Sequence, residues 1–223
     1  MDKNTKTTID SYNNNASVYA DLRPLVPPVI KQLDFFIENL KGTKILDIGC
    51  GPGRDASYFL GKNIAVTGID LSERLIETAK SNNPSGDFFV MDMRHLDFPD
   101  SFFDGLWVNT SFLHLPKTDA GKTLKEFNRV LAPGGVLFLG VQSHRNEKAK
   151  VTKNVGPREV LIGTEDFHGD LRFFAYYDED EIKKLLEKTG FQIIRLDSRE
   201  EPETKIGWIN LFAKKAKLPN PQY

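Results

Sequence analysis

The feature that most constrains this chain is the stretch Lys44-Ile45-Leu46-Asp47-Ile48-Gly49-Cys50-Gly51-Pro52-Gly53-Arg54-Asp55. An apolar run stops abruptly at three glycines that alternate over five positions, and a helical pattern follows. This predicts a buried strand, a tight turn and a helix start. Glycine removes the side chain where the backbone must turn and where a ligand can press against it. Free N–H groups at the start of the next helix would face that ligand. Asp47 adds a carboxylate at the carboxyl end of the strand, where ligands bind in open parallel sheets. Spacing alone leaves the ligand open. Gly51, Gly53 and Ala56 satisfy the dinucleotide pattern G-x-G-x-x-A, so NAD is not excluded by it.

The surrounding pattern alternates strand and helix, which predicts a parallel sheet covered on both faces. Strands are expected at about 44–48, 64–69, 88–91, 103–108 and 136–141, with helices at about 28–40, 53–61, 72–81 and 118–131. Ser72 is the expected cap of its helix. Residues 1–7 read as disordered and residues 8–21 as one short polar helix. Residues 143–174 break the rhythm and read as a long irregular segment with an aromatic cluster, Phe167, Phe173 and Phe174. Asp178-Glu179-Asp180-Glu181 opens a helix that Gly190 closes. The stretches 191–196 and 206–213 read as a paired hairpin.

Asp70 ends the second strand, where a carboxylate can accept both ribose hydroxyls of an adenosine cofactor. Such a carboxylate serves NAD and other adenosine cofactors equally well. With one cysteine, Cys50, no internal disulfide can form, so a reducing, cytoplasmic setting is expected. Cys50 reads as packing rather than as a nucleophile. A net charge of −1 provides no broad basic field for nucleic acid. No signal peptide and no run of 18 apolar residues is seen, so no membrane association is expected.

The string Asp47-Ile48-Gly49-Cys50-Gly51-Pro52-Gly53 resembles the first motif of class I S-adenosylmethionine (SAM) methyltransferases. Further segments follow in the family's order. Met91-Asp92-Met93-Arg94-His95-Leu96-Asp97-Phe98-Pro99-Asp100-Ser101-Phe102-Phe103-Asp104 is similar to D-x-x-x-L-P/F-F-x-D-x-x-F-D. Asn109 matches the position beneath the cofactor, and Leu131-Ala132-Pro133-Gly134-Gly135 matches the L-x-P-G-G turn. The resemblance implies that Asp47, Gly49, Gly51 and Gly53 meet the methionine end of SAM. It implies that Asp70 and Leu71 meet the ribose region, Asp92 and Met93 the adenine, and Asn109 the underside. Tyr12-Asn13-Asn14-Asn15-Ala16-Ser17-Val18-Tyr19 resembles a lid helix of small-molecule methyltransferases. Tyr12 and Tyr19 would then face the sulfonium, and Arg23 would pair with the methionine carboxylate.

The expected fold is a doubly wound, seven-stranded Rossmann-like α/β sandwich with N-terminal lid helices. Six strands would be parallel and the last antiparallel. The chain reads as one methyltransferase domain: lid 1–40, SAM-binding half 41–142, substrate-side insertion 143–177, and helix with hairpin 178–214. The expected reaction moves the SAM methyl to an O, N, S or C atom of a small organic acceptor and releases S-adenosylhomocysteine. His114 and Tyr177 are the candidate catalytic residues, with His168 and Tyr176 behind them. His114 reads equally as a packing residue. No metal is assigned. A transfer-RNA substrate and a non-catalytic SAM-binding protein stand as alternatives, and the protein is expected as a monomer or homodimer.

Overall fold

The computed structural model describes residues 1–21, 29–144, 151–164, 167–202 and 205–216. Its centre is a seven-stranded sheet. Five strands carry the alternating pattern of the first two-thirds of the chain: β1 (Lys44–Ile48), β2 (Ala65–Asp70), β3 (Asp87–Val90), β4 (Phe103–Asn109) and β5 (Leu131–His144). Two more, β9 (Phe191–Glu200) and β10 (Gly207–Lys215), complete it in the order β3-β2-β1-β4-β5-β10-β9. β10 runs antiparallel to both β5 and β9, and the remaining pairs are parallel. The strand order reverses between β1 and β4, the place where open α/β sheets leave a crevice for ligands.

Alternation along each strand distributes side chains between two cores. Leu46, Ile48, Leu106, Val108, Leu137 and Leu139 pack on one face, beneath α6 (Lys117–Val130) and α7 (Glu179–Lys188). Ile45, Trp107, Val136 and Phe138 pack on the other, beneath α3 (Ile30–Glu38), α4 (Arg54–Leu60) and α5 (Glu73–Asn82). Both faces are therefore dry, and the strands read as nearly continuous apolar runs. Ser72 caps α5 as expected, its hydroxyl accepting from the Leu75 N–H at 3.3 Å. Asp178 caps α7 in the same way, and Gly190 follows it at a φ of +87°. Leu131 to Gly135 lies within β5 as a bulge, because its register slips between the Phe103 and Gly105 pairings.

Two expectations fail. Residues 1–7 are not disordered. α1 (Lys3–Asn14) starts there, Asp2 caps it, and α2 (Ala16–Asp21) follows as a separate helix. α1 has few apolar residues because it buries Thr5, Thr8 and Ser11. The second correction concerns residues 143–174. They contain β6 (Val151–Gly156) and β7 (Glu159–Gly163), and with β8 (Leu171–Ala175) these form a three-stranded antiparallel sheet. Among the described residues, no helix is long and apolar enough to cross a membrane.

Candidate functional site

The glycine loop joins β1 to α4 at the crevice. Gly49, Gly51 and Gly53 all have positive φ, at +72°, +55° and +81°. Their reasons differ. A Cβ on Gly49 would strike the Ser111 side chain, and one on Gly53 would strike Asn83. At Gly51 the nearest atom is the Tyr19 ring, 3.5 Å away. Two glycines therefore satisfy packing, while Gly51 leaves its backbone open toward the cleft.

Around this loop the structure gathers most of the expected residues. Tyr12, Tyr19, Gly49, Gly51, Asp70, Leu71, Asp92, Met93, Ser111 and His114 line one cleft of about 100 Å³. Thr5, Thr8 and Ile9 of α1 complete its wall, and no sequence signal marks them, because they lie in a polar stretch. A smaller adjoining cavity is lined by Tyr19, Asp47, Gly51, Arg54, Asp55, Asn109 and Thr110. Arg23 lies outside the described residues.

Asp70 holds the loop as well as the cleft. Its carboxylate accepts from the Gly51 N–H at 3.0 Å and the Ser72 N–H at 2.9 Å. Burial raises its pKa, and the backbone donors oppose the rise. Asp92 is gripped by Arg94, whose Nε lies 3.0 Å from both carboxylate oxygens and whose Nη2 lies 2.7 Å from one. Arg94 also reaches Asp119 and the α1 cap Asp2, each at 3.0 Å. Asp92, the residue expected at the adenine, is thus linked through Arg94 to the cap of the N-terminal helix. Burial would raise the Asp2 pKa, but hydrogen bonds from Thr5 and Arg94 outweigh it and hold it at about 2.

The small cavity contains polar atoms that lack hydrogen-bond partners among the described residues. Asp55 is saturated, accepting from Arg54 Nε at 2.7 Å, Trp107 Nε1 at 2.9 Å and Asn109 Nδ2 at 2.8 Å. Beside it, Asp47 Oδ2 and Arg54 Nη1 are buried with no hydrogen-bond partner among the described residues. Burial drives the Asp47 pKa well up, the Asp55 and Asp70 charges add to this, and Arg54 opposes it. Burial, followed by the Asp47 and Asp70 charges, also pushes the Cys50 thiol well up, which suits a packing residue. Arg54 was missed in the sequence, where an Arg-Asp pair at a helix start looks like an ordinary surface pair.

His114 ends a single 3₁₀ turn (Phe112–His114) after β4. Its Nδ1 lies 2.6 Å from the Phe173 carbonyl and its Nε2 lies 2.9 Å from the Tyr12 hydroxyl. A carbonyl can only accept, so Nδ1 carries the proton. In the neutral ring Nε2 then presents a lone pair, to which Tyr12 donates. Tyr177 is not brought to the cleft. Its ring is buried in the core against Phe112, and burial, then Glu181 and Glu159, raises its phenol pKa. That direction is wrong for a base. His168 is exposed at a φ of +50°, and Tyr176 packs in a small cluster with Leu113, Val160, Ile162 and Phe174.

A seven-stranded sheet in this order, with a glycine loop at the switch point and an acid closing β2, defines a Rossmann-like cofactor-binding fold. Comparison with known proteins narrows the class. Residues 45–135 match the family model described as a methyltransferase domain. Methyltransferase GfsG of Streptomyces halstedii is 36% identical over 185 residues, covering 80% of this chain and 63% of that one. Demethylmenaquinone methyltransferase of Staphylococcus aureus is 31% identical over 175 residues, 71% of each chain. A solved SAM-dependent methyltransferase from Methanosarcina mazei is 25% identical, with a TM-score of 0.68 over 82% of this chain and 97% of that one. The chain belongs to the class I SAM-dependent methyltransferase family. It spans 38% and 63% of the lengths of two curated relatives that it matches. The family's cofactor is SAM, so the NAD option left open by the glycine spacing is set aside.

The residues present fit that cofactor. SAM ends in a zwitterion, and the small cavity offers one carboxyl oxygen and one guanidinium nitrogen, Asp47 Oδ2 and Arg54 Nη1, both buried without a hydrogen-bond partner among the described residues. Gly51 allows close backbone approach between that cavity and the Asp70 cleft.

Proposed function

We propose that the protein transfers the methyl group of SAM to a nucleophilic atom of a small organic acceptor, with His114 taking the proton that the acceptor loses. The observation that carries this reading is the pair of buried polar atoms without a hydrogen-bond partner among the described residues, Asp47 Oδ2 and Arg54 Nη1, in the cavity adjoining the cleft. Asp47 would receive the amino group of the methionine end and Arg54 its carboxylate, a role the sequence resemblance gave to Arg23. Asp70 and Leu71 would hold the ribose, and Asp92 and Met93 the adenine. Tyr12 and Tyr19 would close over them, their rings 5.1 Å apart and edge to face.

Bound SAM supplies a methyl group already activated by sulfonium charge. The protein's task is then mainly to position the two reactants and exclude water. His114 is held ready for the one proton movement required. During transfer to the acceptor atom, with the carbon–sulfur bonding pair staying on sulfur, His114 Nε2 would take the acceptor's proton, displacing the Tyr12 hydroxyl. The relatives support a small acceptor, since one is named for demethylmenaquinone.

The test is calorimetric titration with SAM, S-adenosylhomocysteine and NADH, on the wild type and on Arg54→Met. Binding of the two sulfur ligands, weakened in the variant by about tenfold or more, is expected. Preference for NADH, or no binding of any of the three, would sink the reading.

A further inference from the structure

Arg172 on β8 stands apart from the other arginines of the interior. The half-buried Arg54, Arg94 and Arg129 each hold at least one carboxylate at 3.0 Å or closer. Arg172 is more buried than these, only 6% exposed, yet no carboxylate pairs with it among the described residues. Its Nη2 donates to the neutral Thr164 hydroxyl at 2.7 Å, and its Nε is buried with no partner among the described residues. The neighbouring acid, Asp170, is engaged elsewhere: one of its oxygens accepts from Asn14 at 3.1 Å and Asn15 at 3.0 Å.

What surrounds the guanidinium instead is aromatic. Its carbon lies 3.7 Å from the centre of the Phe167 ring, 5.6 Å from Phe174 and 5.7 Å from Tyr12. Ring faces attract a cation without neutralising it. A buried charge in such a setting keeps its field, because little water is there to screen it. Two of the three rings also contact the proposed base. Tyr12 donates to His114 Nε2, and the Phe174 ring centre is 4.8 Å from that of His114. The carbonyl that fixes the His114 tautomer belongs to Phe173, the next residue along β8. Cation and base therefore share two aromatic neighbours, Tyr12 and Phe174.

Resting on the methyl-transfer reading above, we infer that the acceptor is an acid, and that Arg172 seats its carboxylate while His114 faces the atom to be methylated. A guanidinium suits a planar carboxylate because it can donate two parallel hydrogen bonds, and the unpartnered Nε supplies one of them. The ring of Tyr12 has to turn aside for the acceptor to reach Arg172. The same movement frees Nε2 from the Tyr12 hydroxyl, so seating the acid and exposing the base are one event.

The full chain, loaded with S-adenosylhomocysteine, is titrated calorimetrically with benzoate and with benzamide, which match in shape and differ in charge. Benzoate is expected to bind at least tenfold tighter. The preference should vanish in Arg172→Gln and survive in part in Arg172→Lys. A wild type that binds benzoate no tighter than benzamide, or that binds neither, overturns the inference. So does a preference that persists in Arg172→Gln. If Arg172→Gln fails to fold, the wild-type comparison and the Arg172→Lys variant still decide. Failure to load S-adenosylhomocysteine at all would instead bring down the methyl-transfer reading, and this inference with it.

Discussion

The cleft has a floor and a roof, built in different ways. The floor is the carboxyl ends of β1, β2 and β4. It is held by apolar side chains that are fully buried on both faces of the sheet and by a loop whose backbone is hydrogen-bonded to Ile69 and Asp70. The roof is α1, α2 and the β6–β8 sheet; β7 and β8 add apolar packing through Val160, Ile162, Phe173 and Phe174, and polar contacts tie α1 and α2 to the rest. Asn13 accepts from the Ser72 hydroxyl, Asn14 and Asn15 reach Asp170, Asp2 reaches Arg94, and the Thr8 hydroxyl accepts from the Phe173 N–H at 2.9 Å. Such contacts are individually modest and are easily exchanged for water. The floor is therefore suited to hold a cofactor in fixed geometry. The roof is suited to open, as a cleft of about 100 Å³ requires, since ligand sites span about 300–1,000 Å³.

Several variants would break or sharpen this contrast. The largest effect belongs to the floor. Gly49→Ala forces a left-handed backbone and a collision with Ser111, and should destabilise the fold by about 3 kcal/mol. Thermal melting would show a lowered midpoint, with SAM affinity falling in parallel. Asp70→Ala removes the acceptor of the Gly51 and Ser72 N–H groups and the expected ribose contact. It should weaken SAM binding about 100-fold, the equivalent of about 3 kcal/mol.

The roof should respond differently. Thr8→Val leaves the buried Phe173 N–H without an acceptor, at a cost of about 1–3 kcal/mol. Hydrogen exchange should quicken across α1 and β8 and stay unchanged in β1 and β4. If both regions quicken equally, floor and roof form one cooperative unit and the distinction fails. The smallest effect is expected from Asp2→Ala, which loses a helix cap worth about 1 kcal/mol. It should speed SAM release in stopped-flow measurements while moving the melting point little.

A pH experiment sharpens the floor alone. Burial raises the Asp47 pKa well above the ordinary carboxylate range, so the carboxyl keeps its proton to higher pH than a free one does. The stability that follows from this raised pKa is complete below the ordinary carboxylate pKa, near 4. It is lost as pH rises through the folded value. An ammonium group beside Asp47 favours the ionised form. SAM binding should therefore release protons and tighten as pH rises, by up to tenfold per unit below the folded pKa. Calorimetry in buffers of different ionisation enthalpy would detect the release, and Asp47→Asn should abolish it.

The same division decides what could be read from the sequence. Floor elements carry signals that depend on few residues: the run Ile45-Leu46-Ile48 before glycine, Ser72 ahead of its helix, and Asp178 ahead of another. Roof elements draw their order from partners far along the chain. Thr5, Thr8 and Ser11 look like surface residues until β8 covers them. The aromatic cluster at Phe167, Phe173 and Phe174 was visible in the sequence, but the strand pairing that organises it was not. The glycines and Asp70 were legible because the turn's backbone calls for them, and Asp47 because of its place at the strand end and the family resemblance. The free edges of Arg54 and Arg172 were not, because an unsatisfied atom is a property of packing alone.

The placement of β10 bears on how the chain acquires its shape. β9 is synthesised first, yet among the described residues its sheet partner is β10, which lies between it and β5. On the ribosome, β9 must therefore wait without a berth, and the β5 edge, with Phe138, Leu139 and Val141, stays uncovered until residues 207–215 emerge. An apolar edge left open for that interval can pair with other chains. The seam between β5 and β10 is thus where a stalled or truncated product would be expected to aggregate.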